Sequence, residues 1–474
     1  MIKERKKILI VDRGEGNLKD ITDTLVEHGY EIVTASNKHN GMDLFRRNGF
    51  GMVITNEETL PESIKSIKPK LPILFYNSIG DDINVSYSLV KARMVDELIF
   101  PNTNEFELLS SIENNMIQIN VGIVGIGNVG RATAHQLVKE RYIENLILIG
   151  DIRKGDSLKR KRSIEDVERN AEELFRIHGV DKDSIHVCRS LEEAASNTDI
   201  MIVCLKSPDY DYRKLPSENI RRVGLEYDLP SIISLAEGLE YYNYQGLAWL
   251  ISNPISEFCS EFLKLGFNPQ QIIGSSSDTD RLQNTIVKYY NKGRTVNLIG
   301  NDNVTNCYVI GDHKGGSMIP VFSNIIIHDP ERGQLNIADT KLKNSLEEIT
   351  QEVNEAGLKT IHQIDGAVAP EETSEHIRAT LRHIVYEGDK PIVVIGYYKG
   401  DSYDEGAFVA LPAKFKDLRI ESMEMPNLSE TEMNQFVEVY RNNLELIRTP
   451  HKKESRHTSN LSDTPYCVNF SLIN

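Results

Sequence analysis

The pattern of hydrophobic and polar positions divides the chain into successive segments. From about residue 6 to 118, short apolar runs alternate with helix-like stretches, and the runs are KILIV, EIVTA, MVITN, PILFY and ELIF. Such alternation predicts a parallel sheet with crossover helices. A second alternation of the same kind starts at Asn120 and continues to about residue 255. The first half of the chain is therefore predicted to hold two successive α/β units.

The rest of the chain follows another pattern. Long helical stretches are mixed there with β-rich pieces such as PIVVIGYY and GAFVALPAKF, and the sequence from about Thr449 onward is polar and without periodicity. A polar segment of this kind is typical of a flexible tail. The pattern predicts domains over residues 1–118, 119–255 and 256–448, and a tail over residues 449–474.

Composition narrows the class of protein. The length of 474 residues corresponds to about three domains of roughly 150 residues each. A net charge of −16 argues against a general nucleic-acid-binding protein, because such a surface repels the phosphate backbone. No apolar run approaches the roughly 20 residues that span a bilayer, and MIKERKK leads into a strand-like run instead of an apolar signal segment. The five cysteines lack the spacing of a zinc site or a disulfide framework. We therefore expect a cytoplasmic protein that does not bind membranes.

A glycine-rich turn at the start of the second α/β unit predicts a dinucleotide site. Gly125 permits a tight turn, Gly127 lets the backbone approach a pyrophosphate, and Gly130 allows close packing of helix on strand. The helix that follows offers its unpaired N–H groups to phosphate. Asp151 lies 26 residues after Gly125, where an acidic residue binds the ribose hydroxyls of NAD and disfavours NADP. The predicted NAD-binding residues are Gly125, Gly127, Asn128, Val129, Gly130 and Asp151.

Three later motifs appear in the same order as in a known enzyme family. They are LISNP at 250–254, GSSSDTDR at 274–281, and VIGDH at 309–313 followed by GGSMIP at 315–320. Over residues 120–448 the chain resembles the lactate/malate dehydrogenase superfamily. The resemblance implies a doubly wound Rossmann domain followed by an α+β catalytic domain. It also implies an NAD-dependent oxidoreductase of a small 2-hydroxy or 2-keto acid that forms homodimers or homotetramers.

The resemblance implies a role for each residue of these motifs. His313 would be the acid/base, since an imidazole titrates near working pH. Asp278 would hold the second ring nitrogen of His313 and stabilise the imidazolium. Arg281 would bind the substrate carboxylate through two parallel hydrogen bonds. Asn253 would contact the nicotinamide side and the substrate.

The segment that corresponds to the family's substrate loop departs from the family pattern. Residues 207–216 lack the loop glycine, and Asp209 falls where a substrate-selecting residue would be, which disfavours a dicarboxylate. Counting back from Ser252 without gaps places Arg222 at the position of the carbonyl-polarising arginine, with Arg221 and Arg213 as alternatives. These departures leave a second hypothesis open: a regulatory protein that binds NAD(H) without turnover.

The N-terminal segment, residues 6–118, resembles a two-component receiver domain, a five-stranded flavodoxin-like fold. The receiver's phosphoacceptor position falls on Asn56, which cannot form an acyl phosphate, and one of the two metal-binding acids next to Asp12 is replaced by Arg13. The switch hydroxyl position falls on Asn77, and the lysine position on Phe100. We therefore expect a pseudo-receiver that binds a protein partner or regulates the chain, or else an appendage that adds stability.

Overall fold

The computed structural model describes most of the chain between residues 7 and 449. The described residues are 7–13, 18–68, 71–77, 83–92, 94–150, 164–180, 182–206, 220–294, 297–313, 316–363, 370–386, 388, 390–400 and 404–449, with the side chains of 83–85, 114, 164, 183, 220–224 and 356–363 left out of the description. Two compact units are found, one over residues 1–120, 138–145 and 174–185, and another over residues 121–137, 146–173 and 186–474. The domain boundaries predicted from the sequence stay predictions.

The first unit contains a five-stranded parallel sheet in the order β2-β1-β3-β4-β5. Its strands are β1 (Lys7–Val11), β2 (Glu31–Ala35), β3 (Met52–Thr55), β4 (Ile73–Tyr76) and β5 (Glu97–Ile99). Its helices are α1 (Lys19–Glu27), α2 (Lys38–Arg47), α3 (Leu60–Lys65), α4 (Ile83–Lys91) and α5 (Glu105–Met116). The five apolar runs seen in the sequence thus form the five strands.

Both faces of this sheet are covered, which explains why the inner strands β1, β3 and β4 are almost wholly apolar and buried. Alternate residues of β1 point to opposite faces, so Leu9 and Val11 pack in one core, and Ile8 and Ile10 pack in the other. Asn104 begins α5 in a capping box with Glu107, in which each side chain accepts a hydrogen bond from the other residue's backbone N–H.

A second sheet has eleven strands, in the order β14-β13-β18-β17-β11-β10-β9-β6-β7-β8, with β19 paired to β18. Its strands are β6 (Ile119–Val124), β7 (Ile143–Ile149), β8 (Ile185–Cys188), β9 (Ile200–Val203), β10 (Leu247–Leu250), β11 (Ile272–Gly274), β13 (Val309–Gly311), β14 (Met318–Pro320), β17 (Ile392–Tyr398), β18 (Ala407–Lys416) and β19 (Arg419–Met423). The pairs β6–β9, β9–β10 and β10–β11 are parallel, whereas β17 and β18 join antiparallel. A small antiparallel sheet is formed by β12 (Val304–Thr305), β15 (Ile326–Asp329) and β16 (Gly333–Asn336).

Nine further helices accompany these strands in the part of the chain that the structure describes. They are α6 (Asn128–Leu137), α7 (Ile164–His178), α8 (Leu191–Asn197), α9 (Ile220–Tyr241), α10 (Ile255–Lys264), α11 (Asp278–Asn291), α12 (Leu346–Gln363), α13 (Pro370–Val385) and α14 (Glu430–Arg448). This is an α/β Rossmann-type arrangement, as the alternating pattern predicts. Over the described residues, none of the helices combines the length and the apolar character that crossing a membrane requires.

Candidate active site

The glycine-rich turn connects β6 to α6. Gly125 has a φ of +89°, a left-handed conformation that favours glycine. A Cβ on Gly125 would lie 2.8 Å from the carbonyl oxygen of Cys204, and a Cβ on Gly130 would collide with the carbonyl oxygen of Gly125. A bare backbone is therefore needed where the turn meets both the end of β9 and the first turn of α6.

These residues fit a dinucleotide. Because Gly125 and Gly130 carry no side chain, the turn stays tight, and α6 begins at Asn128 with its unpaired N–H groups at the turn. Asn128 is exposed and Val129 half-buried, so the start of the helix is open to a ligand. Burial raises the pKa of the neighbouring Cys204 thiol to about 12, which argues against a reactive thiolate at this edge. Asp151 lies outside the described residues.

The segment after β10 holds the predicted Asn253. The Asn253–Pro254 peptide bond is cis. The hydroxyl of Ser252 donates a hydrogen bond to the carbonyl oxygen of Leu205 at 2.5 Å, which fixes this segment to the end of β9. Asn253 itself is half-buried beside it. The predicted Arg222 belongs to helix α9, where only its backbone is described. Residues 207–216 lie outside the described residues.

His313 and Asp278 are 35 residues apart in sequence and meet in the fold. Nδ1 of His313 lies 2.6 Å from Oδ2 of Asp278, whose side chain is 1% exposed. Asp278 is the first residue of α11, after the end of β11, and His313 follows β13. The turn before His313 depends on Gly311, which has a φ of +99° and where a Cβ would collide with the carbonyl oxygen of Ser317.

Arg281 reaches the same carboxylate from one helical turn along α11. Its Nη1 donates to Oδ1 of Asp278 at 2.9 Å, so each oxygen of Asp278 contacts one basic side chain. Among the described residues, none accepts a hydrogen bond from Nη2 of Arg281. A planar guanidinium held along one edge in this way keeps donors for a second carboxylate.

Sequence reasoning missed several polar contacts around these residues. Ser256 donates to Oδ1 of Asp312 at 2.6 Å, both residues being buried, and Nε of Arg281 lies 3.8 Å from Oε1 of Glu372. One turn further along α13, Nδ1 of His376 lies 2.8 Å from Oδ2 of Asp280. The partners lie 56 to 96 residues apart in sequence, and no local motif connects them.

The corresponding strand ends of the first unit hold a different polar cluster. The side-chain amide of Asn56 donates to Oδ1 of Asp12 at 2.9 Å, and its oxygen accepts the backbone N–H of Arg13 at 3.0 Å. Asn77 is also buried, and its oxygen accepts the hydroxyl of Ser86 at 2.9 Å. Phe100 follows the end of β5. The residues at the receiver-like positions thus bond to one another or to neighbouring groups.

Comparison with known proteins relates this arrangement to nicotinamide enzymes. Residues 120–218 match the family model described as NADP oxidoreductase coenzyme F420-dependent. L-lactate dehydrogenase 2 of Listeria innocua serovar 6a is 22% identical over 325 residues, which is 67% of this chain and 94% of the relative. The match is low in identity and covers nearly all of the relative.

Solved structures share the fold. The malate dehydrogenase of Aeropyrum pernix has a TM-score of 0.54 at 23% identity, covering 69% of this chain and 97% of that one. The lactate dehydrogenase of Cryptosporidium parvum, solved with lactic acid and nicotinamide adenine dinucleotide, has a TM-score of 0.56 at 16% identity and covers 70% of this chain and 97% of that one. The chain has the lactate/malate dehydrogenase fold. Within that fold, β6, α6 and the end of β9 form the candidate cofactor edge, and α11 with the His313 turn forms the candidate catalytic edge.

Proposed function

We propose that this chain is an NAD-dependent oxidoreductase that interconverts a small 2-hydroxy acid and the matching 2-keto acid, of lactate- or malate-like type. The observation that carries the proposal is the buried Asp278 carboxylate, which contacts His313 through one oxygen and Arg281 through the other. A proton-transfer group and a carboxylate-binding group are thereby held together. The lactate and malate dehydrogenases among the relatives and structural neighbours support the same activity.

His313 would act as acid and base. Asp278 accepts the hydrogen bond at Nδ1, so Nε2 is the nitrogen that would exchange the proton with the substrate oxygen. When the 2-keto acid is reduced, Nε2 would donate its proton to the forming hydroxyl, and Asp278 would stabilise the imidazolium before that donation. The reverse reaction would use the same atom as a base.

Arg281 would position the substrate by its carboxylate. The Arg281 side chain is 14% exposed, and a partly desolvated cation binds a carboxylate more strongly than a solvated one does. Asn253, beside the fixed Ser252, would contact the substrate from the end of β10, the parallel neighbour of β11. Arg222 is our candidate for the group that polarises the carbonyl.

The cofactor would bind along the glycine-rich turn. Gly125 and Gly130 keep the turn tight, Gly127 would let the backbone approach the pyrophosphate, and the first N–H groups of α6, from Asn128 and Val129, would neutralise it. Asp151 would bind the ribose hydroxyls and select NAD over NADP. When bound, the nicotinamide cofactor supplies or accepts the hydride of the reaction.

For the first unit we propose a receiver-like fold. Its strand order 2-1-3-4-5 is the order of flavodoxin-like folds, which supports this proposal. With Asn56 at the phosphoacceptor position, the unit would act through a protein partner or as a regulator instead of by phosphorylation. We also propose that the protein is a cytoplasmic homodimer or homotetramer, and that each chain has three domains and a C-terminal tail.

A second candidate function is a sensor that binds NAD(H) without turnover. Asn56 favours the sensor, because a receiver-like unit that cannot be phosphorylated would act through a partner. A protein that reports cofactor binding needs such a partner. The shared contacts of Asp278 favour the enzyme, since a sensor has no need of His313 next to a carboxylate-binding arginine.

The deciding experiment measures NADH oxidation by the purified chain against a panel of 2-keto mono- and dicarboxylates. We expect turnover with a monocarboxylate. His313→Asn should lower kcat by about 10²- to 10⁴-fold, the usual contribution of a general acid, and leave NADH binding by fluorescence unchanged. If the wild type binds NADH and turns over no member of the panel, the sensor replaces the enzyme.

A further inference from the structure

A carboxylate of this chain lies at the proposed substrate-binding arginine. Glu372 is on the first turn of α13, and its Oε1 lies 3.8 Å from Nε of Arg281. The Glu372 side chain is 52% exposed and the Arg281 side chain 14%, so the acid approaches the guanidinium from the solvent side. The contact therefore forms where a carboxylate from solution would arrive.

Arg281 consequently has an acid on each side. Asp278 is buried and binds Nη1 at 2.9 Å, which is close enough for a hydrogen bond. Glu372 is more distant and makes an ion pair without a hydrogen bond to Nε. A substrate carboxylate would be the third anion at one guanidinium, and like charges at this separation disfavour one another.

The position of α13 does not depend on the Glu372 contact alone. His376 contacts Asp280 of α11 at 2.8 Å, and α13 also packs along α6. Buried side chains on its inner face, including Ile377 and Leu381, fix it to the core. Glu372 can thus leave Arg281 by rotating its side chain while the helix stays in place.

We propose that Glu372 is an internal competitor of the substrate carboxylate at Arg281 and thereby sets the affinity for the 2-keto acid. This inference rests on the proposed function, because it takes Arg281 as the carboxylate-binding group. In the substrate-free protein, Glu372 partly neutralises Arg281. When substrate binds, its carboxylate takes the outer donors of the guanidinium, and Glu372 turns to solvent.

The test measures binding of oxamate, an unreactive amide analogue of a 2-keto acid, to the full chain saturated with NADH. Isothermal titration calorimetry would compare wild type, Glu372→Gln and a matched control, Glu371→Gln. Glu371 is an exposed acid on the same turn and makes no ion pair with a described residue. We expect Glu372→Gln to bind oxamate about two- to five-fold more tightly at low salt, the effect of one partly exposed charge.

Salt dependence separates competition from a change in packing. At 1 M NaCl the screening length is about 3 Å, so the ratio between Glu372→Gln and wild type should fall towards one. Glu371→Gln should bind as wild type does at both salt concentrations. Equal or weaker oxamate binding by Glu372→Gln at low salt, or an equal gain in Glu371→Gln, would overturn the inference.

Arg281→Gln distinguishes a failure of this inference from a failure of the proposed function. If oxamate binds Arg281→Gln as tightly as wild type, the carboxylate-binding role of Arg281 fails, and with it the proposed site. If Arg281→Gln loses oxamate while Glu372→Gln matches wild type, the role of Arg281 stands and Glu372 is no competitor. Failure of every variant and of the wild type to bind oxamate contradicts both proposals.

Discussion

The two α/β sheets of this chain present the carboxyl ends of their strands differently. In the first, Asp12 and Asn56 extend from neighbouring strands and hydrogen-bond to each other at 2.9 Å. In the second, Gly125 follows β6, and the adjacent backbone of Cys204 comes so close that a side chain would have no space. One edge is filled by its own side chains, and the other is left as bare backbone.

Two α/β sheets can therefore differ in whether the carboxyl ends of their strands are able to bind a ligand. Parallel α/β sheets bind ligands at the carboxyl ends of their strands, where backbone donors converge. In the second sheet the backbone near α6 is accessible, and the charged groups around Asp278 lie on other elements of the same unit. In the first, the buried amide of Asn56 meets the carboxylate of Asp12. An amide is neutral and pairs with a carboxylate without needing a metal ion.

Among the substitutions that test this difference, Asn56→Asp should have the largest effect on stability. It would place a second carboxylate in a fully buried position against Asp12, and an uncompensated buried charge costs about 3–5 kcal/mol. Urea unfolding at pH 8 should show this loss of stability. The loss should shrink as the pH falls towards 4, because the repulsion raises the pKa of one acid, which is then protonated.

The exposed substitution Asn102→Asp in the same unit is the control and should change stability little. If Asn56→Asp is as stable as the wild type, the cluster around Asp12 accommodates a second charge. Full recovery by Mg²⁺ would show that this edge still forms a cation site, which would break the comparison.

Gly130→Ala should have the next largest effect, on the second sheet. The new methyl group would collide with the carbonyl oxygen of Gly125 and push α6 away from the turn. We expect a stability loss of about 1–3 kcal/mol and NADH binding at least ten-fold weaker by fluorescence titration. Gly49→Ala in the first unit, where a Cβ would meet no atom within 4 Å and the backbone is not left-handed, should leave NADH binding unchanged. If Gly130→Ala binds NADH as tightly as the wild type does, the dinucleotide does not bind at this turn.

A third substitution concerns a buried ion pair of the first unit. Nζ of Lys65 lies 2.9 Å from Oδ2 of Asp96, which also pairs with Arg141. Burial and the charge of Arg141 lower the pKa of Lys65 from 10.5 to about 7. Between these values the unfolded chain binds more protons than the folded one, so stability should rise with pH from about 7 to 10.

Lys65→Met removes the titrating amine and should flatten this rise, while Arg141 still pairs with Asp96. Urea unfolding at pH 7 and pH 10 measures the difference between the two proteins. Lys68→Met, at an exposed lysine nearby, should keep the wild-type rise. A rise of the same size in Lys65→Met would assign the pH dependence to another group.

Much of the fold was accessible from local patterns. The apolar runs from KILIV to ELIF became β1 to β5. Strand alternation and helix periodicity are short-range properties, so they can be recognised within a window of a few residues. The glycine-rich turn was recognisable for the same reason.

Local patterns and motifs in the sequence specify the α/β order, the glycines of the cofactor turn and the types of residue near Asp278. The family resemblance implied the pair of His313 and Asp278, whereas the tertiary structure alone brought Glu372 to Arg281. His313 reaches Asp278 over 35 positions, and Glu372 reaches Arg281 over 91. Such contacts depend on how helices pack against the sheet, and electrostatic strength depends on the burial that packing creates. The acid beside Arg281 was therefore invisible in the sequence and evident in the fold.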